Sequence, residues 1–106
     1  MSNHGISQYS YQLIIETLSN EEQIVQAVLY GSRAIGNARK GSDIDIAIKA
    51  STISYELINT LSTKLNQELP IPYHVDVQHY DTIKNEALKK HIDDYGQIIY
   101  QKQQLQ

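Results

Sequence analysis

The stretch LYGSRAIGNARKGSDID, residues 29–45, decides how this chain folds and what it can bind. It begins inside a nearly continuous apolar run, Ile24 to Tyr30, which is typical of a buried strand and stops at Gly31. A loop rich in Gly and Arg follows, and a short helical turn over residues 33–38 would be compatible with it. Strict alternation of apolar and polar residues from Asp43 to Lys49 then predicts a second strand.

Two acidic residues, Asp43 and Asp45, open this second strand. Residues two apart on a strand share a face, so both carboxylates point away from Ile44, Ile46 and Ile48. Two like charges near 4 Å repel by about 4 kcal/mol at an effective dielectric of 20, and a bound cation removes that cost. Because Mg²⁺ prefers one or two carboxylates together with substrate phosphates, the pair indicates a magnesium site.

The loop between the two strands offers groups that bind phosphate. Gly31 allows close approach of the backbone to a ligand because it has no Cβ, and Ser32 adds a hydroxyl and an amide. The amides at the start of a helical turn would point at the same anion. Arg33 and Arg39 are candidates for phosphate contact, with ordinary loop charges as the alternative interpretation.

A third carboxylate, Asp76, lies in a further predicted strand over residues 73–80. Val75 and Val77 point to one face of that strand and Asp76 to the other. On a strand next to the Asp43–Asp45 pair it would complete a site for two metal ions about 4 Å apart, which clamp the attacking and leaving oxygens of a displacement. Asp76 could also accept the proton of the attacking hydroxyl. A solvated strand aspartate is the alternative.

The rest of the chain supplies helices and a last strand around these elements. Leucines recurring at helical spacing, caps such as Asn85, and stops such as Gly96 set the predicted bounds. The expected fold class is α/β in the α+β sense, a small mixed sheet with helices packed on it. The predicted elements are helices over 7–19, 53–68 and 85–95 and a short edge strand over 98–100.

Length and composition limit the functions that this chain can have. The 106 residues are expected to form one domain over 1–106, with a frayed Gln-rich tail over 101–106. Because such a small domain has a thin core, a partner is expected to supply part of the site. Nine basic against twelve acidic residues weigh against duplex nucleic acid as a ligand. The lack of cysteine excludes disulfides and thiolate metal sites. No apolar run approaches the roughly 20 residues that span a membrane, so a cytoplasmic protein is expected.

The order of these motifs resembles that of a known superfamily. Gly31-Ser32, ten residues and then Asp43-x-Asp45 is similar to the signature of the DNA polymerase β-like nucleotidyltransferases. The fuller string, Gly-Ser-Arg-Ala-x-Gly-x-Ala-Arg before Ser-Asp-Ile-Asp, resembles the minimal nucleotidyltransferase (MNT) branch over residues 24–100. Asn37 and Lys40-Gly41 depart from the pattern at positions that do not carry the metal chemistry. The resemblance implies a polymerase β-like fold.

The resemblance also implies a role for each motif residue. It assigns Mg²⁺, as one or two ions, to Asp43, Asp45 and Asp76, and the triphosphate to Gly31 and Ser32. Members of the branch are commonly paired with an all-helical HEPN-type protein, and some are antitoxins that adenylylate a tyrosine of a HEPN toxin. For this chain, the resemblance implies Mg²⁺-dependent transfer of AMP from ATP, or of another nucleoside monophosphate from its triphosphate. The implied acceptor is a HEPN-like partner that is encoded nearby, so that the two proteins form a toxin–antitoxin pair.

Two other functions stay open at this point. The chain could be a non-catalytic antitoxin that neutralises its partner by stoichiometric contact, with a vestigial nucleotide site. It could also nucleotidylate a small molecule such as an aminoglycoside, although the chain has no room for a domain that would hold the drug. The sequence fixes neither the nucleobase, nor the acceptor, nor whether the chain forms a homo- or hetero-oligomer.

Overall fold

A mixed β-sheet forms the centre of the protein. The computed structural model describes residues 4–52 and 54–103, and within them the strands are β1 (Ile24–Tyr30), β2 (Ile44–Ala50), β3 (Val75–His79) and β4 (Gln97–Gln101). Their order in the sheet is β3-β2-β1-β4. Strand β1 is antiparallel to both of its neighbours, β2 and β4, whereas β2 is parallel to β3. The predicted mixed sheet with helices is confirmed.

The helices begin close to the predicted positions because polar side chains cap them. Ser7 Oγ accepts the amide of Ser10 at 3.2 Å, and Asn85 Oδ1 accepts that of Leu88 at 3.1 Å. The predicted helix start at 53 and the end of the predicted frayed tail, 104–106, lie outside the described residues. The helices are α1 (Gln8–Ser19), α2 (Ser32–Ile35), α3 (Tyr55–Thr63), which continues as a π-helical turn (Lys64–Glu68), and α4 (Glu86–Tyr95).

Apolar side chains fill both faces of the sheet. On one face, α1 and α3 cover Ile44, Ile46 and Ile48, which are fully buried as their alternation predicts. On the other face, α4 closes a smaller second core around Ala47 and Tyr30. The second core was not predicted. Within residues 4–52 and 54–103, none of the helices combines the length and the apolar composition that a membrane-spanning helix requires.

The end of α4 needs a glycine for a reason other than the predicted one. Gly96 caps the helix, and its amide donates to Ile92 O at 2.9 Å, but its φ of −62° is open to any residue. A Cβ at this position would instead collide with the Val28 side chain and with Ile92 O. Gly96 therefore allows α4 to end in direct contact with β1.

A π-helical turn places Asn66 against the outer edge of β3. The Asn66 amide donates to Val75 O at 2.8 Å and accepts the Val75 N–H at 2.8 Å. It thereby takes the place of a neighbouring strand at this edge. The sequence predicted an uninterrupted helix through Glu68, and the wider turn is the difference that aims Asn66 at the strand. Because Val75 precedes Asp76, this pairing also fixes the position of Asp76.

Replacing Asn66 with leucine should lower the free energy of unfolding by about 2 kcal/mol, because both backbone groups of Val75 lose their partner. Urea denaturation followed by circular dichroism measures this change. The matched control is Asn59→Leu, an exposed position on α3 where a change within about 0.5 kcal/mol is expected. Equal effects of the two substitutions would contradict the anchoring role of Asn66.

Candidate active site

Acidic residues meet at one end of the central strands. Asp45 on β2 lies directly opposite Asp76 on β3 in the parallel register. The preceding pair, Ile44 and Val75, is fully buried in the main core, so both carboxylates share the opposite face of the sheet. Asp43 stands just before β2 and is exposed, while Asp45 and Asp76 are half-buried. The structure thus brings the three predicted residues to one end of the sheet; their metal-binding role stays a prediction.

The electrostatics of this end reflect crowded negative charge. Burial is the largest cause that raises the pKa of Asp45, followed by the charges of Asp76 and then Asp43. His74 and Arg33 act in the opposite direction without reversing the shift. The folded protein therefore holds a carboxylate whose charge is not fully compensated by the chain itself.

The donor set fits a magnesium ion. Among residues 4–52 and 54–103, no three Asp, Glu or His side chains are gathered into a ready-made metal cage. Mg²⁺ does not need one, because it keeps several waters and binds through one or two carboxylates plus substrate phosphates. Asp45 and Asp76, with Asp43 beside them, supply hard oxygen ligands and an excess of negative charge that a divalent cation would offset.

The turn after β1 lies against these carboxylates. Gly31 has φ 79° and ψ −155°, a conformation that side-chain-bearing residues rarely adopt. A Cβ on Gly31 would lie 2.5 Å from Asp45 Oδ2. Ser32, half-buried, follows as the first residue of α2. The backbone of the predicted phosphate-binding turn therefore runs directly beside the predicted metal ligand.

Replacing Gly31 with alanine should lower the free energy of unfolding by about 2–3 kcal/mol, from backbone strain and from contact with Asp45. Gly36→Ala is the matched control, since Gly36 has φ 83° but open space around a Cβ. That control should cost only about 1 kcal/mol. Denaturant unfolding of both variants isolates the cost of the contact, and identical losses would show that Asp45 does not limit the turn.

Arg33 has a different environment from the one the sequence suggested. Its side chain is buried, and Nε and Nη2 donate to Ser42 O at 3.2 and 2.7 Å. Nη1 donates to His4 O at 2.9 Å, and the guanidinium lies 4.9 Å from the centre of the Tyr73 ring. These contacts use the guanidinium to hold the loop that leads to Asp43. They give the predicted phosphate contact of Arg33 no support.

Arg39 lies on the outside of the same loop. Its backbone N–H donates to Ser42 Oγ at 2.8 Å, and its side chain is exposed. An exposed guanidinium can reach a ligand at little cost in burial or broken hydrogen bonds. Phosphate contact by Arg39 therefore stays a prediction that this geometry allows.

Two side chains beside the carboxylates were missed by the sequence analysis. Tyr30 is buried, and its pKa is raised to about 12 by burial first and by Asp45 and Asp76 next. Its hydroxyl accepts the side-chain amide of Gln78 at 3.2 Å, and the same amide lies 3.5 Å from Asp76 Oδ2. Gln78 thus bridges a neutral phenol and a predicted metal ligand. The alternation of β3 placed Gln78 on the Asp76 face, which was the available signal.

A third missed side chain, His91, carried no signal in the sequence. Its Nε2 accepts the N–H of Gly31 at 2.9 Å, sixty positions away in the chain. The ring packs edge-on against Tyr30, with centroids 6.3 Å apart, and lies 5.7 Å from the ring of Tyr95. His91 therefore belongs to the wall of the site although no motif marks it.

Comparison with known proteins identifies the family of this arrangement. Residues 12–105 match the family model described as polymerase beta, nucleotidyltransferase. No curated protein matches the chain significantly.

Solved structures with the same fold include chains of toxin–antitoxin complexes. A complex crystallised with AMP-PNP contains a chain of 26% identity and TM-score 0.70, covering 88% of this chain and 74% of that chain. A complex of tri-AMPylated HEPN toxin with MNT antitoxin from Shewanella oneidensis gives 24% identity, coverage of 90% and 72%, and TM-score 0.65. The toxin–antitoxin complex MntA–HepT gives 22% identity, coverage of 91% and 74%, and TM-score 0.67.

The family model covers nearly all of the described residues, including the Gly31 turn and the acidic residues at the end of the sheet. The chain therefore belongs to the polymerase beta nucleotidyltransferase family.

Proposed function

We propose that this chain is a Mg²⁺-dependent adenylyltransferase that moves AMP from ATP to a tyrosine hydroxyl of a HEPN-type helical partner. In this proposal it acts as the antitoxin of a toxin–antitoxin pair. The observation that carries the proposal is the in-register placement of Asp45 and Asp76 beside the Gly31 turn. Carboxylates that can hold a divalent cation beside a phosphate-binding turn support an in-line transfer between two oxygens at phosphorus.

The nucleotide is assigned to the turn after β1. Ser32 offers its hydroxyl and backbone amide to the phosphates, and Arg39 offers an exposed guanidinium from the same loop. Asp43, Asp45 and Asp76 would hold Mg²⁺. When bound there, the ion would neutralise the charge that develops on the phosphate oxygens and orient the α-phosphate. These residues supply positioning and electrostatic stabilisation, which dominate catalysis of phosphoryl-type transfers.

In the proposed transfer step, every bond, electron pair and proton is accounted for by the nucleotide, the acceptor hydroxyl and groups of this site. The acceptor oxygen forms a bond to the α-phosphorus of ATP, while the bond from that phosphorus to the bridging oxygen of the β-phosphate breaks. Pyrophosphate leaves with the electron pair of that bond. The proton of the acceptor hydroxyl passes to a carboxylate oxygen of Asp76 on the edge strand β3. The side-chain amide of Gln78, which donates to the Tyr30 hydroxyl, lies 3.5 Å from that carboxylate.

The open side of the site supports an acceptor that a partner protein presents. Helix α4 covers the sheet near β1, whereas β3 is an edge strand whose outer side only the Asn66 side chain pairs at Val75, among the hydrogen bonds of the described residues. The next residue, Asp76, is half-buried, so a partner that presents a hydroxyl beside it would exclude water from the site. Similarity to the chain in the complex with AMP-PNP supports a nucleotide as donor, and similarity to the chain in the complex with tri-AMPylated HEPN toxin supports a HEPN-type protein as acceptor.

The proposal is tested by incubating the purified chain with ATP labelled at the α-phosphate, Mg²⁺ and the protein encoded by the neighbouring reading frame. Label is expected on the partner, at a tyrosine, and should disappear when Mg²⁺ is chelated. Neutralisation of the partner without any label would overturn the proposal. That result would instead favour the non-catalytic antitoxin.

A further inference from the structure

We infer that His91 is a positioning residue that locks the phosphate-binding turn by accepting the Gly31 N–H. The catalytic consequence rests on the proposed function, whereas the hydrogen bond itself does not. The contact joins α4 to the end of β1 at a distance of 2.9 Å. It is a specific link between the second core and the turn that runs beside Asp45.

The environment of His91 fixes the ring in place. Its neighbour Ile92 is buried in the second core, which anchors this part of α4 to the sheet. The ring itself is half-buried and packs between Tyr30 and Tyr95. Because Nε2 accepts a backbone N–H, it has no proton of its own, and the proton of the neutral ring resides on Nδ1. The structure therefore assigns one tautomer to His91.

The turn needs such an anchor because glycine is the freest residue of the backbone. Gly31 adopts φ 79° and has no side chain to hold it, yet it must stay beside Asp45. The bond to His91 removes part of that freedom. It also occupies the Gly31 N–H, so the phosphate donors of the turn are the amide and hydroxyl of Ser32. In this arrangement Gly31 allows the backbone to approach the phosphates closely, and His91 holds the Gly31 peptide in its orientation.

The hydrogen bond can be tested without any assay of activity. His91→Gln keeps an acceptor that can reach the Gly31 amide, and His91→Phe keeps an aromatic ring against Tyr30 and Tyr95 but has no acceptor. Hydrogen exchange of the Gly31 amide, followed by NMR, should be about tenfold faster in the phenylalanine variant and close to wild type in the glutamine variant. Nitrogen chemical shifts of the His91 imidazole in the wild-type protein should show a proton on Nδ1 and no proton on Nε2.

The effect on the site is tested by the affinity for AMP-PNP with Mg²⁺. His91→Phe should weaken binding about tenfold, and His91→Gln should recover most of the loss. Unchanged Gly31 exchange in the phenylalanine variant, equal impairment of both variants, or a proton on Nε2 would overturn the role of His91. Failure of the wild-type chain to bind AMP-PNP would count against the proposed function instead, while the exchange and tautomer results would still decide on His91.

Discussion

Replacing Asp45 with asparagine is expected to reduce nucleotidyl transfer by more than about 1,000-fold and to stabilise the metal-free protein at the same time. Asparagine keeps the shape of the side chain but removes the charge that would bind Mg²⁺ and offset the developing phosphate charge. A loss of that size corresponds to about 4 kcal/mol of transition-state stabilisation. Label transfer from ATP to the partner measures it, at saturating Mg²⁺.

Asp45→Asn should lower activity but raise the stability of the metal-free protein, and the reason lies in the environment of Asp45. Burial and the neighbouring charges of Asp76 and Asp43 raise its pKa in the folded state. The folded state therefore takes up a proton more readily than the unfolded state, and the charged form costs stability. This cost is absent below the usual aspartate pKa and appears as the pH rises through the raised folded value. At neutral pH without metal, the asparagine variant should melt at a higher temperature than wild type.

Two control measurements test this interpretation of Asp45. Asp81→Asn removes an exposed carboxylate from the 3₁₀ turn after β3 and should change neither transfer nor melting temperature. Melting curves with and without Mg²⁺ should show that the ion stabilises wild type more than the Asp45→Asn variant. A variant that still transfers label, or that melts at a lower temperature without metal, would contradict the role given to Asp45.

The parts of this protein that follow from local patterns were predicted from sequence. Strand β1 has the predicted bounds, Ile24–Tyr30, because an apolar run that ends at a glycine is a local signal. The period of two in β2 and β3 placed Asp45 and Asp76 on the polar face of each strand. Their pairing across the sheet needed one further fact, that the two strands are neighbours, and the family resemblance implied it.

The parts that depend on distant contacts were not predicted. Helical spacing continues through Lys64–Glu68, so nothing local reveals the π-helical turn that aims Asn66 at β3. His91 reaches Gly31 only because α4 folds back over β1, and its own neighbours in sequence give no indication of this. Neither the contact of Asn66 nor that of His91 produces a periodic pattern of residues in the sequence. Positioning residues are for this reason harder to predict than the ligands that they hold.

Arg33 shows the same limit within the motif itself. An arginine after Gly-Ser in a loop is a reasonable phosphate ligand by residue type, and sequence offers no means to separate it from Arg39. Arg33 differs from Arg39 because it contacts three groups elsewhere in the fold: the carbonyls of His4 and Ser42 and the ring of Tyr73. One arginine is buried among them and the other is exposed. The two should therefore respond oppositely to substitution.

Replacing Arg33 with methionine is expected to lower the free energy of unfolding by about 3 kcal/mol. Methionine keeps the apolar stem but leaves the carbonyls of Ser42 and His4 without their charged donors. Arg39→Met is the matched control and should change stability by at most about 0.5 kcal/mol. Urea unfolding of the metal-free proteins compares the two.

Nucleotide affinity should reverse this order once stability is taken into account. At a temperature where both variants are folded, Arg39→Met should weaken MgATP binding about tenfold if its guanidinium contacts phosphate, since a charge-assisted hydrogen bond contributes about 1.5–3 kcal/mol. Arg33→Met should weaken binding less than Arg39→Met, because the Arg33 guanidinium is occupied by Ser42 O and acts on the nucleotide site through the loop that leads to Asp43. A larger loss of MgATP affinity in the folded Arg33 variant than in the Arg39 variant would contradict this assignment and restore the sequence-based prediction for Arg33.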